Sequence, residues 1–289
     1  MGHRGATQAT MLELPWEEGS FLGGTGAATA VRERPSEPSE APASPEAPSP
    51  PAPAARSGGW AEAVLASLDL ETTGRDPDSD RILAVALFRQ DPDGAPVPIV
   101  DTLVDPGPDV VIPEEAAAVH GITRERLIAE QAPPIATVMA EVHDALTELA
   151  AQDTGVVIYN APFDWPFLAA ELARLDPPRT LPTCQLIDPL VLDRHVDRYR
   201  KGKRTLEAAC QVYGVDLDNA HEASADALAS LGVARAIGAR YPEVGDLSCE
   251  DLEAVQIEAH RVWRDGFNAY LKRIGADREP ISGSWPGRC

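Results

Sequence analysis

Residues 63–74, AVLASLDLETTG, set the strongest limit on what this chain can fold into. Period-2 alternation puts Val64, Ala66, Leu68 and Leu70 on one face of a strand and Asp69 and Glu71 on the other. Two carboxylates side by side repel and raise each other's pKa unless a cation supplies the missing charge. Hard oxygen ligands with no nearby cysteine or paired histidine suit Mg2+ or Mn2+ better than zinc. Taken alone, Asp-x-Glu reads more simply as a strand end with polar residues facing water. Thr72-Thr73-Gly74 counts against that reading. A turn ending in glycine lets the chain leave the strand sharply and leaves room beside the carboxylates.

A second segment, VVIYNAPFDWPFL, begins with a β-branched run over Val156–Tyr159 that reads as a buried strand. Pro166 is expected to open a helix carrying Phe167, Leu168 and Leu172 inward, which leaves Asp164 at the strand-to-helix junction, where capping is its ordinary role. Asn160 can donate and accept hydrogen bonds near the carboxyl end of that strand, where open α/β sheets bind ligands. Phe163 either packs in the core or offers a flat face for stacking. In the third segment, HEASADAL, five helical steps of about 100° would set His221 and Asp226 roughly 140° apart, so one helix face cannot hold both. His221 therefore belongs in a loop before a helix that begins near residues 222–225, with Asp226 projecting from an early turn.

In their order and local contexts, Asp69, Glu71, Asp164, His221 and Asp226 resemble the active site of the DEDD superfamily of 3'-5' exonucleases, histidine subclass, which includes the proofreading epsilon subunit of bacterial DNA polymerase III. The resemblance runs over about residues 65–237. It takes in Val119-His120-Gly121-Ile122-Thr123, similar to the family's loop at the terminal nucleotide, and Lys203–Glu207, similar to the entry of the helix before the third motif. Every acidic position and the histidine are present. The resemblance implies that Asp69, Glu71 and Asp226 hold one metal, Asp69 bridges to a second, and Asp164 serves that second ion directly or through water. It implies that His221 takes a proton from the attacking water, and that two Mg2+ or Mn2+ ions stabilise the attacking and leaving oxygens. It further implies substrate contacts from Leu70, Thr72, Thr73, His120, Gly121, Ile122, Asn160 and Phe163. The expected fold is α/β, a ribonuclease H-like mixed five-stranded sheet flanked by helices.

Residues 81–88 and 97–104 read as strands separated by the turn Asp91-Pro92-Asp93-Gly94, so three strands form a meander, and Leu186-Ile187-Asp188 marks a short fifth strand. Pro35–Pro53 is a Pro, Ala, Ser and Glu run that cannot bury an apolar face and should stay extended. The expected organisation is a disordered arm over 1–58, an exonuclease domain over 59–240 and a helical extension over 241–289 packed on it. Within that extension residues 250–274 read as one or two closing helices, with Leu252, Val255, Ile257, Val262, Trp263, Phe267, Tyr270 and Leu271 available for packing. In the arm, Met11–Trp16 loosely resembles the short peptides by which bacterial replication proteins grip a sliding clamp; the simpler reading is an unstructured leader.

A formal charge of −21 is awkward for an enzyme that binds phosphates. Arg194, Arg198, Arg200, Lys201, Lys203 and Arg204 form a local basic stretch that either tracks an incoming strand or is a solvated helix end. The four cysteines, Cys184, Cys210, Cys249 and Cys289, lack the spacing of a zinc knuckle or a disulfide framework, and no apolar run reaches membrane-spanning length. A reduced, cytoplasmic setting is expected. The favoured function is removal of nucleoside monophosphates from single-stranded DNA 3' ends in proofreading or repair, beside a polymerase or sliding clamp. A ribonuclease of the same superfamily is the alternative, and a non-catalytic docking module is the third reading.

Overall fold

The structure, a computed structural model, describes residues 59–287. β1 (Leu65–Thr72), β2 (Ile82–Gln90) and β3 (Val97–Leu103) form the expected antiparallel meander. The turn between β2 and β3 closes with the Gly94 amide on the Asp91 carbonyl at 3.0 Å. β4 (Gly155–Val157) pairs with β1 in parallel and β5 (Leu186–Ile187) pairs with β4 in parallel, giving the order β3-β2-β1-β4-β5. This is the mixed five-stranded, helix-flanked α/β sheet that the motifs imply.

Parallel pairing needs crossovers, and helices supply them. α1 (Glu114–His120), α2 (Arg124–Ala129) and α3 (Ile135–Ala151) connect β3 to β4, and α4 (Ala161–Ala173) connects β4 to β5. Beyond β5 come α5 (Pro189–Val196), α6 (Leu206–Tyr213), α7 (Ala223–Arg240), α8 (Pro242–Gly245) and α9 (Cys249–Ile274). No helix among the described residues is long and apolar enough to cross a membrane.

Alternation along β1 predicts one buried face, and the structure buries both. Ala66, Leu68 and Leu70 join the main core with Val85 and Leu87 of β2 and with α3 and α4. Leu65, on the opposite face, packs in a second core against α7. The strand is central and sandwiched, so only the positions past the end of its β4 pairing, Asp69 and Glu71, look out from that second face.

Three boundaries differ from expectation. β4 ends at Val157 rather than Tyr159, and β5 ends at Ile187 because Asp188 leaves the strand to cap α5. α4 begins at Ala161, not at Pro166. Asn160 takes a left-handed turn (φ 68°) that starts the helix early, so Pro166 lies inside α4 and Asp164 sits in its first turn, not at the junction. The closing segment is one 26-residue helix, α9. It buries Leu252 and Leu271 as expected, but also Gln256 and His260, while Ile257 and Val262 stay exposed.

Candidate active site

Two features at the end of β1 make room for its carboxylates. The partners directly across β2 are small, Ala86 opposite Asp69 and Ala84 opposite Glu71. The register then slips between Glu71 and Thr72, an irregularity of the kind that bends a strand away from its neighbour and re-aims side chains. Gly74 completes the exit: a Cβ there would stand 2.3 Å from Asp80 Oδ2, and Asp80 receives the Thr73 hydroxyl at 3.2 Å.

The same small residues bring α7 close. Ala84 and Ala86 pack against Ala223 and Ala227, so the first turn of α7 lies on the sheet and carries Asp226 to the end of β1. Oxygens of Asp69, Glu71 and Asp226 all fall within 4.8 Å of one another. His221 lies just ahead of the helix in a left-handed conformation (φ 70°), as the angular argument requires of a residue outside α7. Its backbone amide donates to Asp226 Oδ2 at 3.2 Å, which fixes the loop to the helix start. Ser224 Oγ adds a 2.6 Å bond to Asp101 of β3.

The electrostatics are those of charges held together against their preference. Burial pushes Asp69 well above the usual carboxylate range, and Asp164, Asp226 and Glu71 push it further. Burial, then Asp226 and Asp164, raises Glu71 to about 8. Burial raises Asp226 to about 6 against the pull of the His221 amide and ring. Asp164 is also raised well above normal by burial and by repulsion from Asp188 and Asp226, although the Leu70 backbone amide works against this. Asp226 Oδ1 is buried with no hydrogen-bond partner. Oxygen donors, one orphaned lone pair and mutual repulsion together fit a bound divalent cation, with Asp69, Glu71 and Asp226 as its holders.

A cleft of about 230 Å³ opens beside the carboxylates, lined by Glu71, Asp101, His120, Arg126, His221 and Ser224 among others. His120 receives the Ile122 amide on Nδ1 at 3.0 Å, and burial lowers its pKa. Gly121 follows it at φ 69° as the C-cap of α1. The other expected substrate contacts are placed differently. Leu70 and Ile122 are core side chains. The Thr72 hydroxyl is spent on the Gly74 carbonyl at 2.6 Å and that of Thr73 on Asp80. Asn160 and Phe163 stand at the start of α4, Phe163 half-buried with its ring 5.2 Å from that of Phe167.

The basic stretch is largely occupied within the fold. Arg200 and Arg204 both bind buried Asp193, at 2.6 and 2.5 Å, and the Arg194 guanidinium stacks on Trp263 at 3.6 Å. These three cations are structural. Sequence reasoning also missed Asp188, which caps α5 and accepts amides from the start of α4. Its signal was legible: Asp before Pro is a helix-start pattern.

Residues 67–234 match the RNase_T family, described as exonuclease. Among curated proteins, the uncharacterised exonuclease CP81 of Escherichia phage 186 is 35% identical over 105 residues, 36% of this chain and 47% of that protein. Among solved structures, exonuclease I of Escherichia coli in complex with a dT13 oligonucleotide aligns with a TM-score of 0.53 at 24% identity, over 63% of this chain and 42% of that one. A moderately thermophilic exonuclease I from Methylocaldum szegediense aligns at 0.50 and 27% identity, over 63% and 41%. The chain spans less than half the length of each of these relatives. With its family match covering more than half of the sequence, this chain belongs to the RNase_T exonuclease family.

Proposed function

We propose that the chain is a metal-dependent 3'-5' exonuclease that releases nucleoside monophosphates from single-stranded DNA. The observation that carries this reading is the convergence of Asp69, Glu71 and Asp226 within 4.8 Å, in surroundings that raise the pKa of all three. By donor type the set suits Mg2+ or Mn2+, and Asp164, close enough to repel Asp69, is the fourth carboxylate for a second ion. When bound, such ions stabilise charge on the attacking and leaving oxygens and lower the pKa of a bound water.

The remaining work falls to side chains. His221 is the base: its imidazole can accept a proton, and it lines the cleft beside Glu71 with its backbone tied to Asp226. His120 and Gly121, with Asn160 and Phe163 from the start of α4, seat the terminal nucleotide. The choice of DNA follows the likeness to an exonuclease I described with dT13, and the polarity follows the superfamily resemblance. Service beside a polymerase or clamp would depend on Met11–Trp16, which lies outside the described residues.

The test is degradation of 5'-labelled single-stranded DNA and matched RNA with Mn2+, Mg2+ or chelator. The expected result is a metal-dependent ladder shortening from the 3' end, faster on DNA. Faster cleavage of RNA would reassign the substrate, and shortening from the 5' end or undiminished activity in chelator would overturn the reading.

A further inference from the structure

The tail after α9 lies beyond the family match, yet it is tied first to α9 and then, at Trp285 and Gly287, to the matched fold. The chain turns at Gly275 (φ 66°) and runs back along the helix. Asn268 exchanges two 2.8 Å hydrogen bonds with the backbone of Ile281, and Arg264 donates to the Gly283 carbonyl at 2.6 Å. Trp285 then enters the main core, only 4% exposed, and its indole Nε1 donates to Asp188 Oδ2 at 3.1 Å. Gly287 lies against α4, where a Cβ would come within 2.8 Å of Pro166.

Asp188 is the junction of this arrangement. Fully buried, it accepts the Asn160 amide on Oδ1 and the Ala161 amide on Oδ2, each at 3.0 Å, besides the Leu190 and Val191 amides of α5. Its own amide is held by Gln256 of α9 at 2.6 Å. The backbone it grips is one that favours glycine, because Asn160 is left-handed. Three residues beyond Ala161, within the same helical turn, stands Asp164, repelled by Asp188 itself and by Asp226, and pressing on Asp69. A repelled carboxylate keeps its place only if its helix start is anchored, and the two amide bonds to Asp188 anchor it although the Asp188 charge adds to the repulsion.

We infer that Trp285 is a positioning residue for Asp164: its indole N–H completes the donor set of Asp188, which fixes the first turn of α4 and with it the fourth carboxylate of the site. This rests on reading the carboxylates as a metal centre. Removing its N–H leaves a buried carboxylate oxygen one donor short, and the slack appears where that oxygen also holds Ala161.

The experiment uses the full chain with Trp285→Phe, which keeps an aromatic ring and deletes the donor. Mn2+ binding is measured without substrate by electron paramagnetic resonance, with amide exchange at residues 160–164 as a local reporter and at β2 as a reporter of global fold. Mn2+ affinity should fall about tenfold, the usual scale for loss of an outer-sphere partner. Exchange at 160–164 should rise while β2 stays protected. In cleavage assays the half-saturating Mn2+ concentration should rise by the same factor, with KM for the oligonucleotide unchanged. In an Asp164→Asn background the same substitution should change Mn2+ affinity less than twofold. Wild-type affinity in Trp285→Phe, or a full tenfold loss in both backgrounds, would overturn the role of Trp285 while leaving the metal centre standing. Absence of Mn2+ binding by the wild-type protein would overturn both. If Trp285→Phe loses β2 protection, deletion of residues 285–289, which admits water to Asp188, is judged by the same criteria.

Discussion

Two groups of carboxylates in this protein, one buried and one half-buried at the cleft, are built on opposite principles. Glu171, Asp188 and Asp193 are almost fully buried, and each is surrounded by donors: Arg81 and Arg174 on Glu171, four backbone amides and an indole on Asp188, and Arg200, Arg204 and the Tyr213 hydroxyl on Asp193. Asp69, Glu71 and Asp226 gather within 4.8 Å of one another, and what surrounds Asp69 is burial and three further carboxylates. The first group is accommodated because its charges are answered from within the chain. The second is not answered so, and the fold tolerates it because packing through Ala84, Ala86, Ala223 and Ala227 holds the elements in place. Buried charge answered internally is scaffold, and crowded charge left unanswered at a cleft marks where something from outside binds.

The largest effect that can break this contrast is on turnover. Asp69→Asn should lower the cleavage rate by about three orders of magnitude or more, since metal-centred charge stabilisation is worth several kcal/mol. Its melting temperature without metal should be unchanged or higher. A variant that keeps turnover, or unfolds, would move Asp69 into the structural group. Asp193→Ala should behave in the opposite way. Leaving two nearly buried guanidiniums without their partner costs about 3–5 kcal/mol, which for a domain of this size lowers the melting temperature by roughly 6–20 °C. Cleavage per folded molecule at low temperature should change little. Thermal melts paired with rates on the folded fraction separate the two outcomes.

That contrast was only half legible in the sequence. Asp69 and Glu71 could be paired because a strand's period is local, and His221 could be set outside its helix because an angle of about 140° excludes one face. Those arguments need no knowledge of distant residues. The scaffold carboxylates do. Asp188 finds Gln256 and Trp285 at separations of 68 and 97 residues, and nothing local selects them. The basic stretch was ambiguous for the same reason: charge spacing does not reveal that Asp193 is buried beneath Arg200 and Arg204. The start of α4 was misplaced because Pro166 is a strong local signal for a first turn. A left-handed asparagine, stabilised by long-range hydrogen bonds from its own amide and the next, overrode that signal.

The subtlest difference between the groups lies in how stability responds to pH. Glu71 and Asp226 have folded-state pKa values raised to about 8 and about 6, and Asp69 is raised as well. Between the ordinary carboxylate range and those values the native state binds more protons than the unfolded chain, so unfolding free energy falls as pH rises. The stabilising contribution is fully present below the unfolded pKa and is lost as pH climbs toward 8. Metal-free protein should therefore carry from this site a decline in melting temperature between about pH 5 and pH 8. Mn2+ should reverse that decline, with a larger thermal shift at pH 8 than at pH 5, because it binds the deprotonated set. Glu71→Gln removes a carboxylate that burial, Asp226 and Asp164 raise to about 8. It should flatten the metal-free slope and raise the melting temperature at pH 8 by about 2–6 °C, with little change at pH 5 where the native glutamic acid is already neutral. Melts at both pH values, with and without Mn2+, decide the matter. A slope as steep in Glu71→Gln as in the wild type would mean that Glu71 is not the strained member of the site, and the contrast with the donor-rich carboxylates would lose its thermodynamic half.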